Sequence, residues 1–124
     1  MTLREKQTRF AGMLGMLLRK AGELGYPVLI LELYRSLETQ KGYVARGVSK
    51  TLNSKHLFGL AVDIAFIEDI RDDGTLNYSP EKYRPLGEYW EALGGIWGGR
   101  FGDDRTTAKI EGWDSGHFEY AREL

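Results

Sequence analysis

An acidic residue, Asp63, stands inside the apolar run Leu60-Ala61-Val62-Asp63-Ile64-Ala65-Phe66. Any fold that buries this run as a strand also has to house the acid. An unpaired buried carboxylate costs several kcal/mol or more, so Asp63 must be neutralised, hydrogen-bonded or bound to a cation. The chain has two histidines and no cysteine. His56 precedes the run in Ser54-Lys55-His56-Leu57-Phe58-Gly59, and His117 comes late, in Gly112-Trp113-Asp114-Ser115-Gly116-His117-Phe118. We expect His56, Asp63 and His117 to converge on one zinc ion.

At 124 residues the chain is expected to form one domain, residues 1–124, with a real hydrophobic core. Hydrophobic residues at 42% and charged residues at 28% are ordinary for a globular protein. A formal net charge of -1 argues against a broad nucleic-acid surface. Without cysteine, a metal here is held by nitrogen and oxygen. The charged opening Met1-Thr2-Leu3-Arg4-Glu5-Lys6-Gln7 is no signal peptide, and no apolar run reaches the ~18 residues of a membrane span. Cytoplasmic synthesis, no membrane insertion and a monomer are the expectations.

Thr2-Leu3-Arg4-Glu5 fits a capping box, followed by a helical stripe of Phe10, Met13, Leu14, Leu17, Leu18 and Ala21 that ends at Gly22 and Gly25-Tyr26-Pro27. Val28 to Tyr34 reads as a strand buried on both faces in its first half, delivering Arg35 at its end. A second helix is expected from an N-cap at Ser36 to about Ala45, then a loop from Arg46 to Lys55. Leu60 to Ile67 is the next strand. Asp72-Asp73-Gly74 marks a turn that could join two strands as a hairpin. Ser79-Pro80-Glu81 starts a helix, which is either kinked at Pro85 or restarts there, and Gly94-Gly95 stops it. Ile96 to Asp104 reads as a glycine-rich aromatic loop, and Gly116 to Tyr120 as a closing strand.

Fully extended, His56 and Asp63 would lie more than ~20 Å apart, so Phe58-Gly59 has to bend the chain and His117 has to arrive on a neighbouring strand. Two imidazoles and one carboxylate leave a coordination position open, the arrangement of catalytic rather than structural zinc. Asp114 is the first candidate for general base, with Glu111 and Glu119 as rivals; Glu119 would share the strand face of His117. Arg35 could hold a substrate carboxylate or a developing oxyanion, or could form a salt bridge, for instance with Glu38. Ser54 could bond substrate or cap the turn before His56.

The pattern Ser54-x-His56-x-x-Gly59-x-Ala61-x-Asp63, followed by Asp114-x-x-His117-Phe118, resembles the zinc peptidases that cut bacterial cell-wall peptides. That family includes the VanX- and VanY-like D-Ala-D-Ala peptidases and the phage L-alanyl-D-glutamate endolysins. Tyr34-Arg35-Ser36-x-Glu38-x-Gln40 resembles its upstream arginine motif and Trp97-Gly98-Gly99 its glycine-tryptophan loop. The resemblance implies a small α+β domain, a central and mainly antiparallel sheet with helices packed on it, as in Hedgehog-type relatives. It makes His56, Asp63 and His117 the zinc ligands, Asp114 the catalytic acid/base and Arg35 the oxyanion stabiliser. Ser54 and Gln40 become substrate-side groups or supports behind the site. Many members carry glutamate where this chain has Asp114; aspartate there tilts the resemblance toward the endolysins.

The function implied is a phage-type endolysin hydrolysing the L-Ala-D-Glu bond of the peptidoglycan stem peptide, released to the wall with holin assistance. D-Ala-D-Ala carboxypeptidase or dipeptidase action is the alternative within the family. A non-catalytic, zinc-stabilised binding module is the alternative of another class, disfavoured by the presence of both Arg35 and Asp114. Calcium at Asp72-Asp73 or Asp103-Asp104, and a glycan platform built of the three tryptophans, rank lower.

Overall fold

The computed structural model describes residues 1–47, 54–77, 79–101 and 114–121. Helix α1 (Leu3–Glu23) starts at the expected capping box, with the Glu5 amide donating to Thr2 Oγ1 and the Thr2 amide to Glu5 Oε1, both at 3.1 Å. Strand β1 (Val28–Glu32) follows, then α2 (Leu37–Ala45), whose Ser36 cap accepts from the Thr39 amide. Strand β2 spans Ala61–Phe66, helix α3 Pro80–Ala92, strand β3 Ile96–Trp97 and strand β4 His117–Glu119.

The four strands lie in the order β1-β2-β4-β3, and every neighbouring pair is antiparallel. Period-two alternation sorts β2 cleanly. Val62, Ile64 and Phe66 join the core with Phe10, Leu17 and Ala21 of α1 and Tyr83, Leu86 and Trp90 of α3. Phe118 of β4 pairs with Val62 and Trp97 of β3 with Phe118, so they share that face. Asp63 therefore points to the other side of the sheet. The class is α+β, as the resemblance implies. Among the described residues no helix is long and apolar enough to cross a membrane.

Three sequence expectations change. Strand β1 is not buried on both faces: it is the outer strand, and Leu29, Ile30 and Leu31 are 45%, 41% and 44% exposed. Branched apolar residues satisfy strand geometry at an edge as well as in a core, so the run alone does not report burial. Ile96 and Trp97 form an edge strand rather than loop. Trp90 and Trp97 are core residues, as preferred over a glycan platform; Trp113 lies outside the described residues. Asp72-Asp73-Gly74 does turn the chain, with Gly74 at φ 87°, but only a single Ile70–Leu76 bridge forms across it. Asp73 there accepts from the Thr75 amide and hydroxyl, while Asp103-Asp104 lies outside the described residues.

Pro85 sits inside one unbroken α3. The amide it lacks would have met the carbonyl of Glu81, and both residues are exposed, so water can take that carbonyl. Gly87 of α3 is pressed against the Trp97 indole so closely that a Cβ would fall inside the ring. Gly87→Ala is therefore expected to destabilise the fold by about 1–3 kcal/mol through overpacking, read as a lowered Tm.

Candidate metal centre and cleft

The β2–β4 register builds half of the site. Asp63 lies directly opposite His117, and both project from the face away from the core. His117 Nδ1 is 2.9 Å from Asp63 Oδ1. His56 comes from a 3₁₀ turn, Lys55–Phe58, closed by Gly59 in the left-handed region at φ 65°, where only glycine is unstrained. The Leu60 amide returns to the Lys55 carbonyl, and the Arg35 amide donates to the His56 carbonyl, so the turn is folded back over β2. This is the bend that the spacing of His56 and Asp63 requires.

One ligand atom from each of His56, Asp63 and His117 lies within 4.8 Å of the other two. The tautomers favour a cation. His56 Nδ1 donates to the Leu33 carbonyl at 2.7 Å, so its proton is on Nδ1 and Nε2 presents a lone pair. That Nε2 is buried, makes no hydrogen bond among the described residues, and faces Asp63 Oδ2 at 3.1 Å. A nitrogen and a carboxylate oxygen so placed call for a positive charge between them, a proton or a metal ion. His117 Nε2 donates to Glu119 Oε1 at 2.9 Å, turning Nδ1 toward Asp63. Backbone carbonyl behind one imidazole and carboxylate behind the other is how metal-ligating histidines are oriented. The residues fit a divalent ion with nitrogen and oxygen donors.

Charge agrees with this arrangement. Burial raises the Asp63 carboxyl, but His117 and His56 together outweigh it and hold the group well below the ordinary carboxylate range. Burial lowers His117, while Asp63 and Glu119 outweigh it and push the imidazole up to about 9. Without an ion, the stabilisation from this imidazolium is complete below about 6.5 and lost as pH rises through about 9. A cation must displace that proton. Calorimetry at pH 7 in buffers of different ionisation enthalpy should show about one proton released per ion bound, with affinity rising toward pH 9.

Asp114 is exposed and stands at the turn into β4, with Oδ2 3.8 Å from His117 Nδ1. Its carboxyl is raised, first by desolvation at the cleft and then by the charge of Asp63. The turn is pinned from the other side: Trp97 Nε1 donates to the Ser115 carbonyl at 2.7 Å. A cleft of about 260 Å³ opens here, lined by Leu31, Glu32, Tyr43, Asp63, Ile64, Asp114 and Gly116.

Arg35 is buried behind the cleft. Nε donates to Glu32 Oε1 at 2.9 Å, Nη2 donates to the same oxygen, and Nη1 donates to Gln40 Oε1 at 2.6 Å. Its Nη2 lies 3.8 Å from Asp63 Oδ2, and the guanidinium carbon 4.7 Å from the centre of the Tyr43 ring. Arg35 pairs with Glu32 rather than with Glu38, one partner considered for a salt bridge, because α2 begins at Leu37 and carries Glu38 away on its own first turn. Gln40 is fully buried and accepts from Arg35. Ser54 accepts from the His56 amide at 3.2 Å, which is the capping role. Glu119 is held by His117 Nε2 at 2.9 Å and by Lys55 at 3.5 Å, behind the imidazole. Glu111 lies outside the described residues. Glu32 was missed by sequence reasoning, although its spacing of three from Arg35 was a usable signal.

Comparison with known proteins follows the same lines. A search of curated proteins finds no match. The structure resembles Serratia marcescens L-Ala D-Glu endopeptidase ChiX, with TM-score 0.64 and 25% identity over 92% of this chain and 79% of that one. It also resembles the vancomycin resistance D,D-pentapeptidase VanY of a VanB-type cassette, in complex with Zn(II), with TM-score 0.57 and 26% identity over 90% and 70% of the two chains. The LD-carboxypeptidase LdcB, at 21% identity and TM-score 0.63 over 90% and 63%, shares the fold. Residues 47–120, which hold the His56, Asp63, Asp114 and His117 positions, match one peptidase family. By that match, the chain belongs to the D-alanyl-D-alanine carboxypeptidase family.

Proposed function

We propose that the chain is a zinc-dependent peptidoglycan peptidase that hydrolyses the L-Ala-D-Glu bond of the stem peptide. The observation that carries this reading is the His56–Asp63–His117 cluster at a cleft that also presents Asp114. His56, Asp63 and His117 would hold the ion, and three protein donors are the number that catalytic zinc sites use. When bound, zinc supplies a Lewis acid that acidifies water and polarises a carbonyl.

The chain's own residues do the rest. Asp114 takes a proton from the attacking water and returns it to the leaving amine, a task suited to a carboxyl raised above its ordinary value. Arg35, with three N–H groups fixed by Glu32 and Gln40, presents Nη2 on the Asp63 side, where it meets the oxygen that becomes anionic. Glu119 and the Leu33 carbonyl keep the two imidazoles in their ligating tautomers.

The endopeptidase reading is supported by aspartate at position 114 and by the likeness to ChiX, which is named for that activity. D-Ala-D-Ala cleavage is the second reading, favoured by the family's description and the likeness to VanY. Digestion of purified peptidoglycan with zinc, followed by mass spectrometry, separates them. New N-terminal D-Glu supports the endopeptidase. Release of D-Ala or D-Ala-D-Ala moves the chain to the second reading, and intact stem peptides count against both.

A further inference from the structure

Glu32 takes no part in the reaction above, yet an irregularity of the sheet puts it at the cleft. Val28, Leu29 and Ile30 pair in step with Phe66, Ala65 and Ile64, but Glu32 rather than Leu31 then pairs with Asp63. Leu31 is the extra residue of a β-bulge. Had the register run on, Leu31 would have faced Asp63, and Glu32 would have fallen opposite Val62, on the core side. The bulge moves one carboxylate from the apolar face to the face that carries the site.

There Glu32 takes two N–H groups of Arg35, and its other oxygen accepts from the Tyr43 hydroxyl at 3.5 Å. Arg35 also has Asp63 within reach, at 3.8 Å from Nη2. A guanidinium freed from Glu32 would close on Asp63, the carboxylate the cation needs. We propose that Glu32 is a positioning residue: it holds the Arg35 guanidinium in place beside Asp63 and keeps it from competing with the cation for that carboxylate. In the hydrolase reading on which this role rests, Glu32 acts on turnover through Arg35 and never touches the peptide.

The test uses Glu32→Gln and Arg35→Lys, singly and together, in the intact chain. Gln keeps the shape of Glu32 and removes its charge. Glu32→Gln should lower kcat by about 10–100-fold, with KM little changed, and weaken zinc binding measured against a competing chelator. The ¹⁵N-resolved Nε–H resonance of Arg35 should lose its protection from solvent exchange. In the Arg35→Lys background the same change should cost little more, and Glu32→Asp should recover part of the loss. A full additional loss in that background would show that Glu32 acts on substrate directly and overturn the proposal. Unchanged kcat, zinc affinity and Arg35 resonance would overturn it too. If the unaltered chain cuts no wall peptide, the hydrolase reading fails, while the resonance and the chelator competition still decide what Glu32 does to Arg35 and Asp63.

Discussion

Asp114→Asn is expected to reduce kcat/KM on wall peptides by about 10²–10⁴-fold, the range for loss of a general acid–base group. The side chain is exposed at the edge of the cleft, so the amide should leave Tm little changed. It lies 3.8 Å from His117 Nδ1, close enough to act beside the ion but not positioned as a ligand. Zinc content measured by elemental analysis should therefore stay at that of the unaltered protein. Loss of activity with zinc retained excludes the binding-module reading, since a purely structural ion needs no base. Full activity in the variant would pass the base role to another carboxylate, Glu111 or Glu119.

His117→Ala is expected to take hydrolysis to background and zinc below stoichiometric occupancy. It removes one of three donors and strands both carboxylates that His117 now joins, Asp63 and Glu119. Glu119→Gln is the graded control. An amide oxygen can still accept from His117 Nε2, but the charge behind the ligand is gone, so zinc affinity should fall by about 10–100-fold. Turnover at saturating zinc should then return close to the unaltered value. If Glu119→Gln is as inactive as His117→Ala even with zinc saturating, Glu119 is a reacting group and the assignment of Asp114 is wrong.

Much of the site was legible because its signals are local and costly to violate. An acid in an apolar strand demands a partner, and two histidines are few enough to name. The Gly59 bend follows from the distance that His56 must recover. The capping box of α1 and the Ser36 cap of α2 were readable for the same reason: each satisfies amides that would otherwise be orphaned.

What escaped depends on neighbours that no local pattern encodes. Leu31 is as apolar as Leu29 and Ile30, so nothing in β1 announces the bulge that turns Glu32 to the site. Glu32 and Glu38 stand equally far from Arg35 along the chain, and only the start of α2 decides between them. Strand β3 is two residues long, too short for alternation to show; its pairing with β4 makes Trp97 a core residue.

The central claim is that His56, Asp63 and His117 share one cation and leave it a vacant corner. Anomalous diffraction at the zinc edge, from crystals of the zinc-loaded protein, measures this directly. A single peak is expected at about 2.0–2.2 Å from His56 Nε2, an Asp63 carboxylate oxygen and His117 Nδ1, with the remaining position facing the cleft. A peak elsewhere, or a fourth protein atom bonded to the ion, would contradict the account.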